Sequence, residues 1–281
     1  MTNISIDISN KLDQLTIELY RAVDHAARAV ECEYLVVGAS ARDLLLHHGY
    51  GMNIERATND VDLGVQVRNW LQFNALCDEL YGLGFQKTAR IHRLQSPQGL
   101  PLDVVPFGGI SDSDDQIAWP PDQEIIMNVL GFQDALQNAV VVRIAIEPEL
   151  TIPIASTAGL ALLKVIAWTD RPSDLRRKDA QDLYQLARSY WRISAEEVYE
   201  DVELLERFEL NADRVGAYLL GRHCRQIAVA ETRIYLDRFL HGEIRQTDFE
   251  TLIHESLNDR FSPRESNEDV LRAFSLGVTE T

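Results

Sequence analysis

The chain has 281 residues, 46% of them hydrophobic and 25% charged, with a formal net charge of −17. Those proportions suit an ordinary globular protein with one large or two modest cores. The acidic balance speaks against a general nucleic-acid coat, while leaving room for a local basic groove or a nucleotide held through metal ions.

Cys32, Cys77 and Cys224 form neither a CxxC pair nor an even framework. Structural zinc and disulfides are therefore not expected, and a reduced, cytoplasmic setting is. The opening MTNISIDISNKLDQL has no basic n-region and no apolar h-region, and no apolar run approaches the roughly 20 residues that span a bilayer, so neither a signal peptide nor a membrane partner is expected.

In chain order, apolar spacing predicts an amphipathic helix over 9–30. YLVVGAS (34–40) reads as a buried strand and turn, ARDLLLHHG (41–49) as a helix closed by Gly49, and TNDVDLGV (58–65) as a second strand. NWLQFNALCDELYGLG (69–84) has an Asn cap and a glycine stop. FQKTARIHRLQSP reads as one strand, LPLDVVPFGGI (100–110) as another ending at Pro106 and its glycines, SDSDDQIAWPPDQE as a loop, and the stretch from there to about 155 as hairpins. Beyond it TAGLALLKVIAW, KDAQDLYQLARSYWRIS and the rest are helical by period, broken at Asn211, Gly216, Gly242 and Pro263. The expected division is an α/β (α+β) domain over 1–153 and an all-helical domain over 154–281. The four tryptophans read as packing residues.

Three features carry chemistry. Strand alternation puts Asp60 and Asp62 on one face, about 6.6 Å apart along the chain, with Val61 turned to the core. Two like charges so placed repel unless a cation sits between them. Magnesium suits this, because it takes one or two carboxylates and completes its shell with phosphates and water. Asp103, alone in an apolar strand, offers a third carboxylate that either activates a hydroxyl or shares a second metal about 3.5–4 Å from the first. The turn at Gly38, Ala39 and Ser40 opens a helix, whose N-terminal amides favour phosphate, and Gly38 permits close backbone approach. Arg42 is a phosphate contact or a partner for Asp43. His92 and Arg93 are either cleft residues or an edge-strand polar pair.

Together these motifs resemble the DNA polymerase β-like nucleotidyltransferase superfamily, whose pattern is hG[G/S] at a strand-to-helix turn, then Dh[D/E]h, then h[D/E]h. Gly38-Ala39-Ser40, Asp60-Val61-Asp62-Leu63 and Leu102-Asp103-Val104 match, with Ala39 interrupting the usual contiguous pair and with HHGYGMNIERAT as an insertion. GLALLKVIAWTDRPSDLRRKDAQDLYQLA (159–187) narrows this, being similar to the AbiEii/AbiGii-type toxin nucleotidyltransferases through Lys164, Arg171, Lys178, Asp179 and Asp182.

The resemblance implies a nucleotidyltransferase-type mixed sheet flanked by helices, with the helical domain completing the active-site cleft. It implies transfer of an NMP from an NTP to a hydroxyl, with magnesium (manganese as the alternative) at Asp60, Asp62 and Asp103. Lys164 would reach the triphosphate, and Asp179 would be an active-site carboxylate orienting that lysine. The acceptor it implies is RNA, such as the 3′ end of tRNA, met by a basic lip of Arg171, Arg176, Arg177 and Lys178, and a cognate antitoxin is the implied protein partner. Two other readings stand beside it: adenylylation of a small molecule such as an aminoglycoside, or of a protein, and a non-catalytic nucleotide-binding role.

Overall fold

The computed structural model describes residues 6–53, 58, 60–244, 247–257 and 264–280, the side chains of 264–266 excepted. Part of the expected insertion, 54–57, and the helix break at Pro263 lie outside the described residues. The chain divides into two units, Met1–Ser156 and Thr157–Thr281.

The first unit is built on an eight-stranded mixed sheet. Its elements in chain order are β1 (Ile6–Asp7), α1 (Gln14–Ala29), β2 (Glu33–Val37), α2 (Gly38–Arg42), β3 (Val61–Val67), α3 (Trp70–Gly82), β4 (Gln86–Lys87), β5 (Arg93–Gln95), β6 (Pro101–Gly108), β7 (Gln116–Ala118), β8 (Ile126–Asn128), α4 (Phe132–Gln137), β9 (Val140–Ile146) and β10 (Glu149–Ile154). The spatial order is β1-β9-β10-β2-β3-β6-β5-β4, and β7 and β8 form a separate hairpin. β3 runs parallel to β6 and antiparallel to β2.

Alternation sets the two faces. Leu63, Val65, Leu102 and Val104 are buried on one face, the side on which α1 and α3 pack. On the other face Phe132 of α4 stacks on Phe107, with ring centroids 5.4 Å apart, and lies over Gly64. Asp62 and Asp103 belong to this second face.

Several expectations are corrected here. The first helix starts at Gln14, where Asp13 caps it by accepting from the Thr16 amide, and a short strand precedes it. The helix after the turn begins at Gly38 and continues through Asp43–Gly49 in wider π-type turns. The stretch 85–97 is two short strands joined by a turn. Pro106 does not end its strand: β5 pairs only with residues 101–103 of β6, so Pro106 meets β3 on one side and needs no amide hydrogen on the other. The acidic loop contains β7, paired to β8, with Trp119 beside it buried to 2% exposure. The apolar run that follows includes the short helix α4.

The second unit comprises α5 (Thr157–Asp170), α6 (Arg177–Ser189), a 3₁₀ turn (Tyr190–Arg192), α7 (Ala195–Glu200), α8 (Val202–Arg207), α9 (Ala212–Ile227), α10 (Ala230–Leu240), α11 (Phe249–Ser256) and α12 (Arg264–Thr279). α5 is buried nearly all round through Leu160, Leu162, Val165, Ile166 and Trp168, and packs on α6 and α9. Gly216 does not break a helix. It sits inside α9, where a Cβ would strike the Trp191 backbone, so the glycine serves close helix approach. Trp119 and Trp168 are fully packed, whereas Trp70 and Trp191 are half-buried.

Candidate active site

In the first unit the turn at Gly38 has φ +69°, a conformation that glycine adopts without strain. A Cβ built at that position would overlap the Asp62 carboxylate, so Asp62 packs directly against the turn. Ser40 Oγ donates to the Val37 carbonyl at 3.2 Å and accepts from the Asp62 amide at 3.4 Å, tying the turn to β3. Arg42 turns to its neighbour, its Nη2 lying 2.8 Å from Asp43 Oδ1.

Register brings the charged residues into a row. Asp62 pairs with Asp103 across β3 and β6, and Asp103 pairs with Arg93 across β6 and β5. Arg93 clamps Asp103 with two bonds, Nε to Oδ1 at 2.6 Å and Nη2 to Oδ2 at 2.7 Å. The same Nη2 reaches Asp60 Oδ2 at 2.9 Å. These contacts, those with Asp103 foremost, push the Arg93 pKa upward. Asp60 lies just ahead of β3 rather than within it, and is more exposed than Asp103, at 42% against 14%.

Among the described residues, no three carboxylate, imidazole or thiol side chains stand as a ready metal cage. Magnesium does not require one, since one or two carboxylates, substrate phosphates and water complete its shell. The donors here are carboxylate oxygens, the hard ligands such an ion prefers, and a guanidinium already sits among them as a cation. The residues therefore fit the group.

His92 parts company with Arg93. It turns to the opposite side of the sheet, near Trp119 at a ring distance of 6.4 Å, and lines a groove of about 720 Å³ with Trp70, Phe73 and Tyr81. Burial pushes its pKa down, which favours the neutral ring.

In the second unit Asp179 opens α6 at 1% exposure and accepts from Lys164 Nζ at 2.8 Å and from Arg171 Nη1 at 2.6 Å. Lys164 also meets Asp182 Oδ2 at 2.6 Å. Burial pulls the Lys164 pKa down, but Asp182 and Asp179 outweigh it and the net direction is up, so the ammonium stays charged. The expected basic lip is largely committed elsewhere. Arg176 pairs with Glu255 through both Nε and Nη2 and stacks on Trp168 at 4.6 Å, Arg177 donates to the Leu257 carbonyl, and Arg171 holds Asp179.

Set against known families, residues 21–272 match the profile of the nucleotidyl transferase AbiEii toxin of type IV toxin–antitoxin systems. The chain belongs to the AbiEii family. It is thus a nucleotidyltransferase. No curated protein matches this AbiEii chain. Solved structures similar to it include ANT(2″)-Ia in complex with adenylyl-2″-tobramycin, 14% identical over 62% of this chain and 87% of that one at a TM-score of 0.38. An antigenic nucleotidyltransferase-like protein from Paracoccidioides brasiliensis is 15% identical over 73% and 94%, at 0.38. The Thermotoga maritima CCA-adding enzyme complexed with tRNA is 12% identical over 98% and 81%, at 0.27.

Arg93 lies outside the motifs that carry the resemblance. Arg93 precedes Asp103 by ten positions, and only the antiparallel register of β5 on β6 brings them together.

Proposed function

We propose that this protein transfers a nucleoside monophosphate from an NTP to a hydroxyl group and releases pyrophosphate, with RNA as the acceptor class. The acceptor oxygen attacks the α-phosphorus, and the bond from that phosphorus to the bridging oxygen of the β-phosphate breaks. The observation that carries this reading is the row Asp62–Asp103–Arg93, set in register beside the Gly38 turn.

The turn at Gly38, Ala39 and Ser40 receives phosphate. Asp60 and Asp62 hold a divalent cation, magnesium or in its place manganese. When bound, that ion neutralises the charge of the phosphate chain. Asp103, fixed by Arg93, faces the acceptor hydroxyl. Lys164, held by Asp179 and Asp182, keeps its charge, as a lysine that serves phosphate as a point charge must. Arg42, paired with Asp43, supports the turn. The protein's contribution is positioning and charge neutralisation, with little covalent chemistry of its own. As a member of a type IV toxin–antitoxin family, the chain acts as a toxin opposed by a cognate antitoxin.

A second acceptor class is a cationic small molecule, favoured by the net charge of −17. Incubation with each α-labelled NTP and magnesium, against total RNA, soluble protein and an aminoglycoside set in parallel, separates these classes. Label in RNA supports the proposal. Label confined to the small molecules replaces its acceptor, and no label in any fraction sinks it.

A further inference from the structure

We propose that Arg93 is the resident counter-ion of the carboxylate row: it fixes Asp103 throughout and yields Asp60 to an incoming divalent cation. This rests on the metal-dependent reading above and adds to it a role for a residue outside the family-type motifs.

The geometry is asymmetric. Towards Asp103 the guanidinium presents two parallel bonds of 2.6 and 2.7 Å, between neighbouring positions on paired strands, with Asp103 only 14% exposed. Planar bidentate contacts of this kind are the strong form of the interaction. Towards Asp60 there is one bond of 2.9 Å, from an Nη2 already shared with Asp103, to a side chain 42% exposed and sitting ahead of the strand. The Asp60 contact is the weaker one and the one solvent reaches, so it is the contact a competing cation displaces.

Charge points the same way. Asp60 and Asp103 share the one guanidinium, so together they keep a net negative charge that draws a cation. Without Arg93, Asp60 and Asp103 would lose the cation between them in the metal-free protein. Arg93 thus stabilises the row before metal arrives and competes with metal for Asp60 afterwards. Two ligands competing for one group are negatively coupled, and the coupling is reciprocal.

The test is titration of Mn²⁺ alone, without nucleotide, into the full chain, read by calorimetry and by thermal unfolding. In Arg93→Gln the metal-free melting temperature falls, Mn²⁺ restores more of it than in the wild type, and Mn²⁺ binds roughly tenfold tighter. Arg93→Lys, which keeps the charge but cannot span two carboxylates, falls between the two. Should Arg93→Gln fail to fold, the wild type still answers: the Arg93 Nε–H resonance persists through a Mg²⁺ titration while the Nη signals change. Mn²⁺ binding of equal or lower affinity in Arg93→Gln, or loss of the Nε–H resonance on adding Mg²⁺, overturns this inference and leaves the metal-dependent reading standing. A wild type that binds no Mn²⁺ at millimolar concentration overturns both.

Discussion

At Gly38 two constraints meet: the backbone turns with φ +69°, and the Asp62 carboxylate occupies the space a Cβ would fill. Gly38→Ala therefore carries a backbone penalty of about 1–2 kcal/mol and displaces Asp62 as well. The expected outcome is a lowered melting temperature together with nucleotidyl transfer reduced by at least tenfold, whereas Ala39→Gly, next door, leaves most of the transfer intact. Thermal unfolding and the label-transfer assay check the pair. An active, fully stable Gly38→Ala would show that the close packing of turn and carboxylate does not matter.

At the same scale, Asp62 and Asp103 were legible because charges interrupting apolar strands are conspicuous, and Asp60 by its spacing from Asp62. Arg93 was not. Its partner is assigned by strand register, and the sequence from 85 to 97 does not reveal that two strands, rather than one, lie there.

Among the elements, α5 and α6 are joined by buried charge. Asp179 sits at 1% exposure between Lys164 and Arg171. Removing Asp179 leaves Lys164 with Asp182 alone and Arg171 to solvent, so Asp179→Ala is expected to cost about 1–3 kcal/mol in urea unfolding. Lys164→Met leaves Asp179 its bond from Arg171 and is expected to cost less stability while losing most transfer. The contrast between a stability loss at one residue and an activity loss at its partner is the measurement. Equal losses of both kinds in both variants would reduce the cluster to a structural staple.

Element types with strong periodicity were legible: α1, α3, α5 and α6 all show helical spacing, and Asn69 was readable as a cap, which it is, accepting from the Gln72 amide. What was hidden depends on neighbours. β6 runs through Pro106 because its outer side is unpaired there, and β7 is three residues in an acidic stretch whose pairing with β8 no local pattern announces. Gly216 looked like a break and proved to be a contact, because a glycine in a helix reads the same either way until the opposing Trp191 backbone is placed.

For the molecule as a whole, the charge of −17 and the commitment of Arg171, Arg176 and Arg177 to Asp179, Glu255 and the Leu257 carbonyl would restrict how the proposed RNA acceptor is held. Few phosphate contacts imply a shallow salt dependence: transfer to RNA is expected to fall by less than about tenfold between 50 and 200 mM KCl at fixed magnesium, where a surface making six to ten phosphate contacts would lose about 10³–10⁵. A steep slope would require a basic surface beyond these three arginines. Among the described residues no helix is long and apolar enough to cross a membrane.

The most direct measurement of the central claim follows two labels in one reaction. With NTP labelled at the α-phosphate, the acceptor gains label. With NTP labelled at the γ-phosphate, the acceptor gains none and the label leaves as pyrophosphate. Asp62→Asn abolishes both signals while the protein stays folded. Gamma label in the acceptor, or transfer undiminished in Asp62→Asn, would contradict the account.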